Sequence, residues 1–288
     1  MSMNAPETMG VIYRLQLSQL HPHPQNPFSI RDDQAMLDLI QSVQSHGVLV
    51  PAIARPRPDG EYEIIAGHRR KHASELAGLD FMPVVVLDLN DDEAIIQLVD
   101  SNIQRENILP SERAKAYKMR MEAMKRQGAR TDLTSPNISA KFRSDDELGQ
   151  EVGVSGDTIR NYASLTNLVP ELMQMVDEGR IKLSPAYQIA ALPHNEQSLL
   201  LDTIESEQAI PSLSQAQRIK RLSQNGELNE DVLLEIMMEQ KKPVRNDITL
   251  SGEKLRKFFP KSYSPIQIQY SQYAVEEYFF YSRTQPVD

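Results

Sequence analysis

Residues 145–162 have the sequence DDELGQEVGVSGDTIRNY, with the spacing of two crossed helices joined by a tight turn. Gly149 lies where two such helices approach most closely, and Gly153 lies where the turn needs a positive φ. Ser144 and Ser155 are favourable N-caps for the two helices. The apolar positions expected between the helices are Leu148, Val152, Val154, Ile159 and Tyr162. The stretch predicts a helix-turn-helix, with an ordinary helical hairpin as the alternative.

The second helix of this motif would turn polar side chains outward. Such side chains are short or flexible enough to contact base edges and phosphates in a DNA major groove. The predicted DNA-binding residues are Ser155, Asp157, Thr158, Arg160, Asn161, Ser164 and, from the basic segment before the motif, Lys118. Because apolar positions, caps and turn glycine agree, the sequence favours DNA binding over a purely structural hairpin.

Charge is segregated along the 288 residues, although the net charge is −9. Residues 105–143 carry ten Lys and Arg against four Asp and Glu, and residues 241–262 carry seven against two. Residues 144–240 carry six against seventeen. A phosphate backbone responds to potential within about a Debye length, ~8–10 Å, so basic segments can bind DNA in an acidic chain. Solvated helix faces are the alternative.

Several classes of protein are excluded by composition. The chain contains no cysteine, which removes disulfides, thiolate zinc sites and thiol nucleophiles. No apolar run approaches the ~20 residues that cross a bilayer, and no signal-peptide pattern opens the chain. We therefore expect a cytoplasmic, multidomain protein with no membrane partner.

The first hundred residues alternate strand and helix patterns, and the following residues to about 240 are helical. Strands are predicted over 11–17, 48–55, 62–65 and 83–89, a proline loop over 21–27, and helices over 32–46, 67–78 and 91–105. A basic helix over 110–127, ending before Gly128, precedes a polar linker over 129–143. The expected fold class is α+β. Its predicted parts are a small mixed α/β domain (1–109), an all-α domain (110–240) with the helix-turn-helix at 144–165, and a short aromatic C-terminal region (241–288). The aromatic region is a candidate dimer interface, with the core of a small terminal domain as the alternative.

Gly67 follows the predicted strand Tyr62–Ile65, and the helix that begins there carries Arg69 and Arg70 in its first turn. Backbone N–H groups at a helix N-terminus favour anions, and Gly67 permits close backbone approach. Arg69 and Arg70 supply planar donors for phosphate oxygens, yet they oppose the helix dipole unless an anion compensates. The pattern predicts a phosphate site, against the alternative of a surface arginine pair. About thirty residues on, Asn102 and Arg105 are three apart, so an amide oxygen for Mg²⁺ or ribose would lie beside a guanidinium for phosphate.

These motifs together resemble the ParB/Spo0J/KorB family of partition proteins. The resemblance covers residues 10–225 and is carried by Asn26-Pro27, Gly47 with Pro51, the Ala66–Arg70 segment, the Ser101–Asn107 segment and the helix-turn-helix. It implies a ParB/sulfiredoxin-like N-terminal domain that binds CTP and Mg²⁺. It also implies a homodimer that clamps double-stranded DNA at an inverted-repeat site, and a ParA-type ATPase partner. The expected location is the nucleoid.

Carried over by position, the resemblance implies a nucleotide site made of Gly47, Gly67, His68, Arg69, Arg70, Ser101, Asn102 and Arg105, with Asn102 as the metal ligand. His68 and Ser101 replace glutamates of the family pattern, the second of which is associated with nucleotide turnover. CTP binding with slow or absent hydrolysis is therefore expected. The alternatives are a nucleotide-independent, KorB-like transcription regulator, and a nuclease or phosphotransferase on the same fold.

Overall fold

The computed structural model describes residues 11–105, 108–132 and 144–239. The described residues lie in one compact unit. The predictions for residues 133–143, for the basic segment 241–262 and for the aromatic C-terminal region fall outside the described residues. The domain boundaries at 109 and 240 stay predictions.

The N-terminal part contains the predicted mixed sheet. In the described part of the chain the strands are β1 (Ile12–Gln16), β2 (Leu20–Pro22), β3 (Ala52–Pro56), β4 (Tyr62–Ala66) and β5 (Phe81–Val86), in the order β1-β5-β3-β4-β2. The β1–β5 and β3–β4 pairs are antiparallel, and the β2–β4 and β3–β5 pairs are parallel. The central strand β3 buries Ala52 and Ala54 completely. Small side chains there let neighbouring elements approach the sheet closely.

Three helices accompany the sheet, and helices alone follow it in the described ranges. The first three are α1 (Gln34–His46), α2 (His68–Leu76) and α3 (Asp91–Asp100). The later ones are α4 (Pro110–Asp132), α5 (Ser144–Val152), α6 (Gly156–Ser164), α7 (Pro170–Asp177), α8 (Leu183–Ile189), α9 (His194–Glu207), α10 (Leu213–Asn225) and α11 (Glu230–Met238). The predicted α+β class, with a mixed N-terminal domain before a helical region, is confirmed.

One hydrophobic core joins the sheet to the helix-turn-helix. Its buried members come from the loop before α1, from β4, α3 and α4, and from both helices of the motif: Phe28, Ile65, Leu98, Tyr117, Leu148 and Ile159. A second core fills the space among α7 to α11 and includes Leu172, Ile189 and Leu200. The first core contains residues from both sides of the predicted boundary at residue 109. Helix α4 therefore packs against the N-terminal domain and against the helix-turn-helix.

Two predicted elements end at different residues for local reasons. The strand predicted over 48–55 begins only at Ala52, because the carbonyls of Val50 and Pro51 accept hydrogen bonds from the Arg70 side chain instead of a strand partner. The helix predicted over 91–105 ends at Asp100. There the Ser101 hydroxyl and the Asn102 amide both donate to the Leu98 carbonyl at 2.9 Å, which competes with helical bonding.

Other differences come from weak or one-sided signals. Helix α4 continues to Asp132, because one glycine inside a helix, here Gly128, costs only about 1 kcal/mol. Strand β5 begins at Phe81, two residues before the predicted start. Leu37 is exposed, since α1 buries the face that carries Met36 and Val43. Val154 is also exposed: its backbone N–H closes the turn onto the Gly149 carbonyl at 2.8 Å, and its side chain does not lie between the helices.

Candidate functional site

A cavity of about 150 Å³ lies where the β4–α2 turn, the end of α3 and the loop before α1 meet. Its lining residues are Asn26, Phe28, Ser29, Ile30, Gly67, His68, Arg69, Arg70, Ser101, Asn102 and Arg105. The two motifs singled out in the sequence therefore share one cavity. Gly47 lies outside this lining, at the C-cap of α1 with φ 70°. The loop before α1 was not predicted to line the site, although Asn26-Pro27 is one of the motifs that carry the family resemblance.

Gly67 forms the floor of the cavity at the start of α2. It is the N-cap in a left-handed conformation (φ 104°, ψ 19°), and no side chain of the described residues caps the helix. A Cβ atom on Gly67 would lie 2.8 Å from the Ala52 Cβ, so the backbone rests directly on β3. Uncapped N–H groups beside arginines form an anion-binding arrangement.

Arg70 holds the segment after α1 in place. Its Nη1 donates to the carbonyls of Val50 and Pro51, each at 2.5 Å. Burial lowers the pKa of Arg70, but the guanidinium stays protonated at any ordinary pH. The side chain therefore combines a structural contact to residues 50–51 with a charge at the cavity.

Arg69 and Arg105 complete the cationic lining. The Arg69 Nη2 lies 3.2 Å from Asp33 Oδ1, which also accepts the Met36 N–H at the start of α1. The Arg105 Nη1 donates to Asn102 Oδ1 at 3.3 Å. Burial and the nearby charge of Arg69 lower the pKa of Arg105. Asp33 thus partly neutralises Arg69. A cavity is still present between the guanidiniums of Arg69, Arg70 and Arg105.

His68 adds no positive charge to the cavity near neutral pH. Burial, then the charges of His23 and Lys71, lower its pKa to about 4. Its buried Nε2 has no hydrogen-bond partner among the described residues. Those residues also contain no cluster of three or more His, Asp or Glu side chains that could hold a metal ion. Asn102, the predicted metal ligand, lines the cavity, and its Oδ1 accepts a hydrogen bond from Arg105.

The helix-turn-helix has the predicted internal geometry. Leu148 and Ile159 are fully buried between its helices. A Cβ on Gly149 would lie 2.6 Å from the Val154 carbonyl oxygen, and Gly153 has φ 74°. The Ser155 hydroxyl accepts the Thr158 N–H at 3.2 Å and caps α6. The two glycines and the cap therefore occupy the places that the spacing predicts.

The predicted DNA-binding residues lie on α6 and at its N-cap, except Lys118, and they differ in how far other side chains of the chain hold them. Asn161 is exposed, and Ser164 donates to the Asn161 carbonyl at 2.7 Å. Arg160 forms ion pairs with buried Asp145 of α5 and with exposed Asp157. Lys118 on α4 is exposed, and its Nζ lies 3.2 Å from the Thr166 hydroxyl just beyond α6. The arginine is therefore held by the motif itself, which its position in the sequence did not reveal.

An arginine-lined cavity beside a mixed sheet, followed by a helix-turn-helix, defines a class of helix-turn-helix proteins with an additional mixed α/β N-terminal domain. Residues 1–103 match the family model of the ParB N-terminal domain, and residues 137–210 match that of the ParB HTH domain. The chain belongs to the ParB/Spo0J family. In the described ranges, no helix is both long and apolar enough to cross a membrane.

The chromosome-partitioning protein Spo0J of Thermus thermophilus is 32% identical over 187 residues, which are 65% of this chain and 62% of the relative. The chain thus spans less than two thirds of that relative. Two solved structures of C-terminally truncated ParB from Caulobacter crescentus are also similar. The complex with the centromeric parS site is 26% identical (73% of this chain, 98% of that one, TM-score 0.46). The complex with CTP-γ-S is 28% identical (66% and 97%, TM-score 0.32).

Proposed function

We propose that this chain is a partition protein that binds an inverted-repeat DNA site as a homodimer and uses CTP with Mg²⁺ to close around the duplex. Membership of the ParB/Spo0J family and the partition function named for the Thermus relative support this proposal. Its dimer would place one recognition helix on each half-site. A ParA-type ATPase partner and a nucleoid location follow from the same proposal.

The observation that carries the nucleotide part is the single cavity shared by Gly67–Arg70 and Ser101–Arg105. Three guanidiniums, those of Arg69, Arg70 and Arg105, line it together with the uncapped start of α2. Their charge complements a triphosphate, and guanidinium forks bind phosphate oxygens in pairs. Arg70 fixes residues 50–51, the end of the Gly47–Pro51 segment whose family counterpart meets the cytosine ring.

The residues fit a nucleotide better than they fit a free metal ion. Asn102 would hold Mg²⁺ through Oδ1, and the ion would supply charge neutralisation at the phosphates. Arg105, which donates to the same atom, would bind phosphate. Ser101 donates to the Leu98 carbonyl at 2.9 Å and offers no carboxylate to activate water. We therefore expect nucleotide binding with slow or absent hydrolysis.

The DNA part of the proposal rests on α6 and α4. Asn161, Thr158 and Arg160 would contact base edges from α6, with Ser155, Asp157 and Ser164 around them. Lys118 would contact the phosphate backbone from α4, because it is exposed beside the segment that follows α6. In this arrangement the basic helix supplies affinity and the recognition helix supplies discrimination.

Calorimetric titration of the full chain with CTP, Mg²⁺ and DNA tests the nucleotide site. Arg70→Ala should abolish CTP binding and leave the first encounter with site DNA largely intact, because Arg70 lies at the cavity and not on α6. Equal loss of both activities would show that Arg70 is structural or contacts DNA. The expected control is Arg57→Ala, which removes an arginine paired with Asp59 in the β3–β4 turn and should change neither.

A nucleotide-independent, KorB-like regulator is the second candidate, and the neutral His68 and Ser101 at two glutamate positions favour it. Crosslinking of the N-terminal domains with and without CTP discriminates the two. A nuclease is less consistent with the structure. Of the carboxylates at the start of α3, Asp91 pairs with Arg55, Asp92 pairs with Arg126, and Glu93 completes the capping box.

A further inference from the structure

Glu112 connects the first turn of α4 to the wall of the cavity. Its Oε1 accepts two hydrogen bonds from Ser29, one from the backbone N–H at 2.9 Å and one from the hydroxyl at 2.5 Å. Its Oε2 accepts the Leu109 N–H at 3.2 Å at the start of the same helix. The residue is only 8% exposed, so these bonds form away from bulk water, where they are strong.

The segment that Glu112 holds is the cavity wall formed by Asn26, Phe28, Ser29 and Ile30. Phe28 anchors one side of this wall in the core that it shares with Ile65 and α4. On the other side, both donors of Ser29 are taken by Glu112. The wall is therefore set by the position of α4 as much as by the sheet.

Glu112 also lies beside the cations of the site. A second cavity of about 150 Å³ adjoins the first through Ser29, Arg69 and Arg105, and Glu112 lines it. The negative charge of Glu112 raises the pKa of Arg105, but burial has the larger effect and lowers it. One carboxylate thus contacts the wall and faces the arginines expected to bind phosphate.

The neighbouring residue faces the other functional surface. The Arg113 guanidinium lies 5.5 Å from the centre of the Tyr162 ring, on α6 of the helix-turn-helix. Consecutive residues of the first turn of α4 therefore contact the nucleotide cavity wall and the recognition helix. Movement of this turn of α4 would therefore change the contact between Glu112 and Ser29, the contact between Arg113 and Tyr162, or both.

We propose that Glu112 is a positioning residue of the nucleotide site, which fixes the Ser29 wall to α4 and makes nucleotide occupancy and the position of α4 interdependent. This inference rests on the proposed CTP function. A nucleotide that needs the wall in place binds more weakly when Glu112 is removed. In the same variant, bound nucleotide is no longer linked to α4 through the Ser29 wall.

The test uses the full chain and four variants: Glu112→Ala, Glu112→Gln, Ser29→Ala and the control Glu122→Ala, which removes an exposed carboxylate from the same helix. Glu112→Ala removes both hydrogen bonds to Ser29 and should weaken CTP binding about tenfold, at the low end of what charge-assisted hydrogen bonds contribute. It should also abolish CTP-dependent crosslinking while DNA binding without nucleotide is unchanged. Glu112→Gln keeps an acceptor for Ser29 and should rescue most of the binding, and Glu122→Ala should match the unsubstituted chain.

A double-mutant cycle separates positioning from general destabilisation. If Glu112 acts through Ser29, the double variant should bind CTP no more weakly than Glu112→Ala alone. Additive losses overturn the inference, as does unchanged CTP binding in Glu112→Ala. Ser29→Ala removes only a hydroxyl, so it provides the same readout if Glu112→Ala fails to fold. Failure of the unsubstituted chain to bind CTP overturns the proposed function itself, which the first titration reveals separately.

Discussion

Gly67 and Ala52 approach so closely that a side chain of any size on Gly67 would overlap the Ala52 side chain. A Cβ atom there would lie 2.8 Å from the Ala52 Cβ and 3.1 Å from Arg70 Nη2. The start of α2 is thus pressed onto the central strand, and the cavity arginine lies against the same backbone. This contact sets where the anion-binding N–H groups point.

Gly67→Ala is therefore expected to lose both stability and nucleotide binding. A positive φ costs a non-glycine residue about 1–2 kcal/mol, and overpacking adds about 1–3 kcal/mol. Gly78→Ala is the matched control, because Gly78 also has a positive φ (74°) but a Cβ there meets nothing within 4 Å. Urea denaturation of both variants measures the difference. Equal losses in the two variants would contradict the close-contact argument.

Arg120→Ala is expected to destabilise the chain by about 1.5–3 kcal/mol, the range for hydrogen bonds to charged groups, because both carboxylate partners of Arg120 are partly exposed and stay solvated. Arg120 is 4% exposed, and its guanidinium donates to Asp100 at the end of α3 and to Glu151 of α5. Removing it leaves two carboxylates without their buried partner. Arg218→Ala breaks the exposed pair with Glu239 and should cost less than about 1 kcal/mol. Chemical denaturation checks both values, and a small loss in Arg120→Ala would show that the junction is not needed for stability.

His68 makes stability depend on pH below neutrality. Its folded pKa of about 4 lies below the unfolded value of 6.5, so between these values the unfolded chain binds a proton that the folded chain does not. The free energy of unfolding should thus fall as pH decreases from 6.5 to 4, by up to about 1.4 kcal/mol per pH unit. His68→Gln should reduce this slope, whereas the exposed His46→Gln should not. Identical slopes in all three proteins would contradict the assignment.

Arg160→Ala and Lys118→Ala should weaken DNA binding in different ways. Loss of a base contact by Arg160 should reduce discrimination between target and random DNA by about 1–3 kcal/mol. Loss of a phosphate contact by Lys118 should weaken both alike and lower the salt slope by about 1. Fluorescence anisotropy at several salt concentrations measures both effects. Arg160→Lys keeps the charge without the guanidinium fork. It should lose discrimination between target and random DNA as Arg160→Ala does, and should resemble Arg160→Ala in no other respect.

Local signals predicted much of the fold. The alternation of strands and helices follows from the period of the apolar residues. The C-terminal end of α1 follows from Gly47 and the turn of the helix-turn-helix from Gly153, and both glycines take a positive φ. Two separate motifs in the sequence singled out five of the cavity residues, and the family resemblance added His68 and Ser101. Their meeting in one cavity was expected from the family resemblance rather than from spacing.

The remaining features depend on contacts between distant residues, which no local pattern encodes. Ser29 and Glu112 are 83 positions apart, and the pairing of Arg120 with Glu151 crosses 31. The ion pair of Arg160 with Asp145 likewise needs both helices in place before it exists.

The edge-to-face stack of Tyr117, Tyr162 and Tyr187 joins α4, α6 and α8, with centroid separations of 5.7 and 5.9 Å. A chimera that imports only residues 144–165 from another protein would replace the central ring, Tyr162, and place a foreign residue between Tyr117 and Tyr187. The segment that must be exchanged to make such a protein bind a different DNA site is thus larger than the helix-turn-helix itself. It begins within α4 and extends through α8.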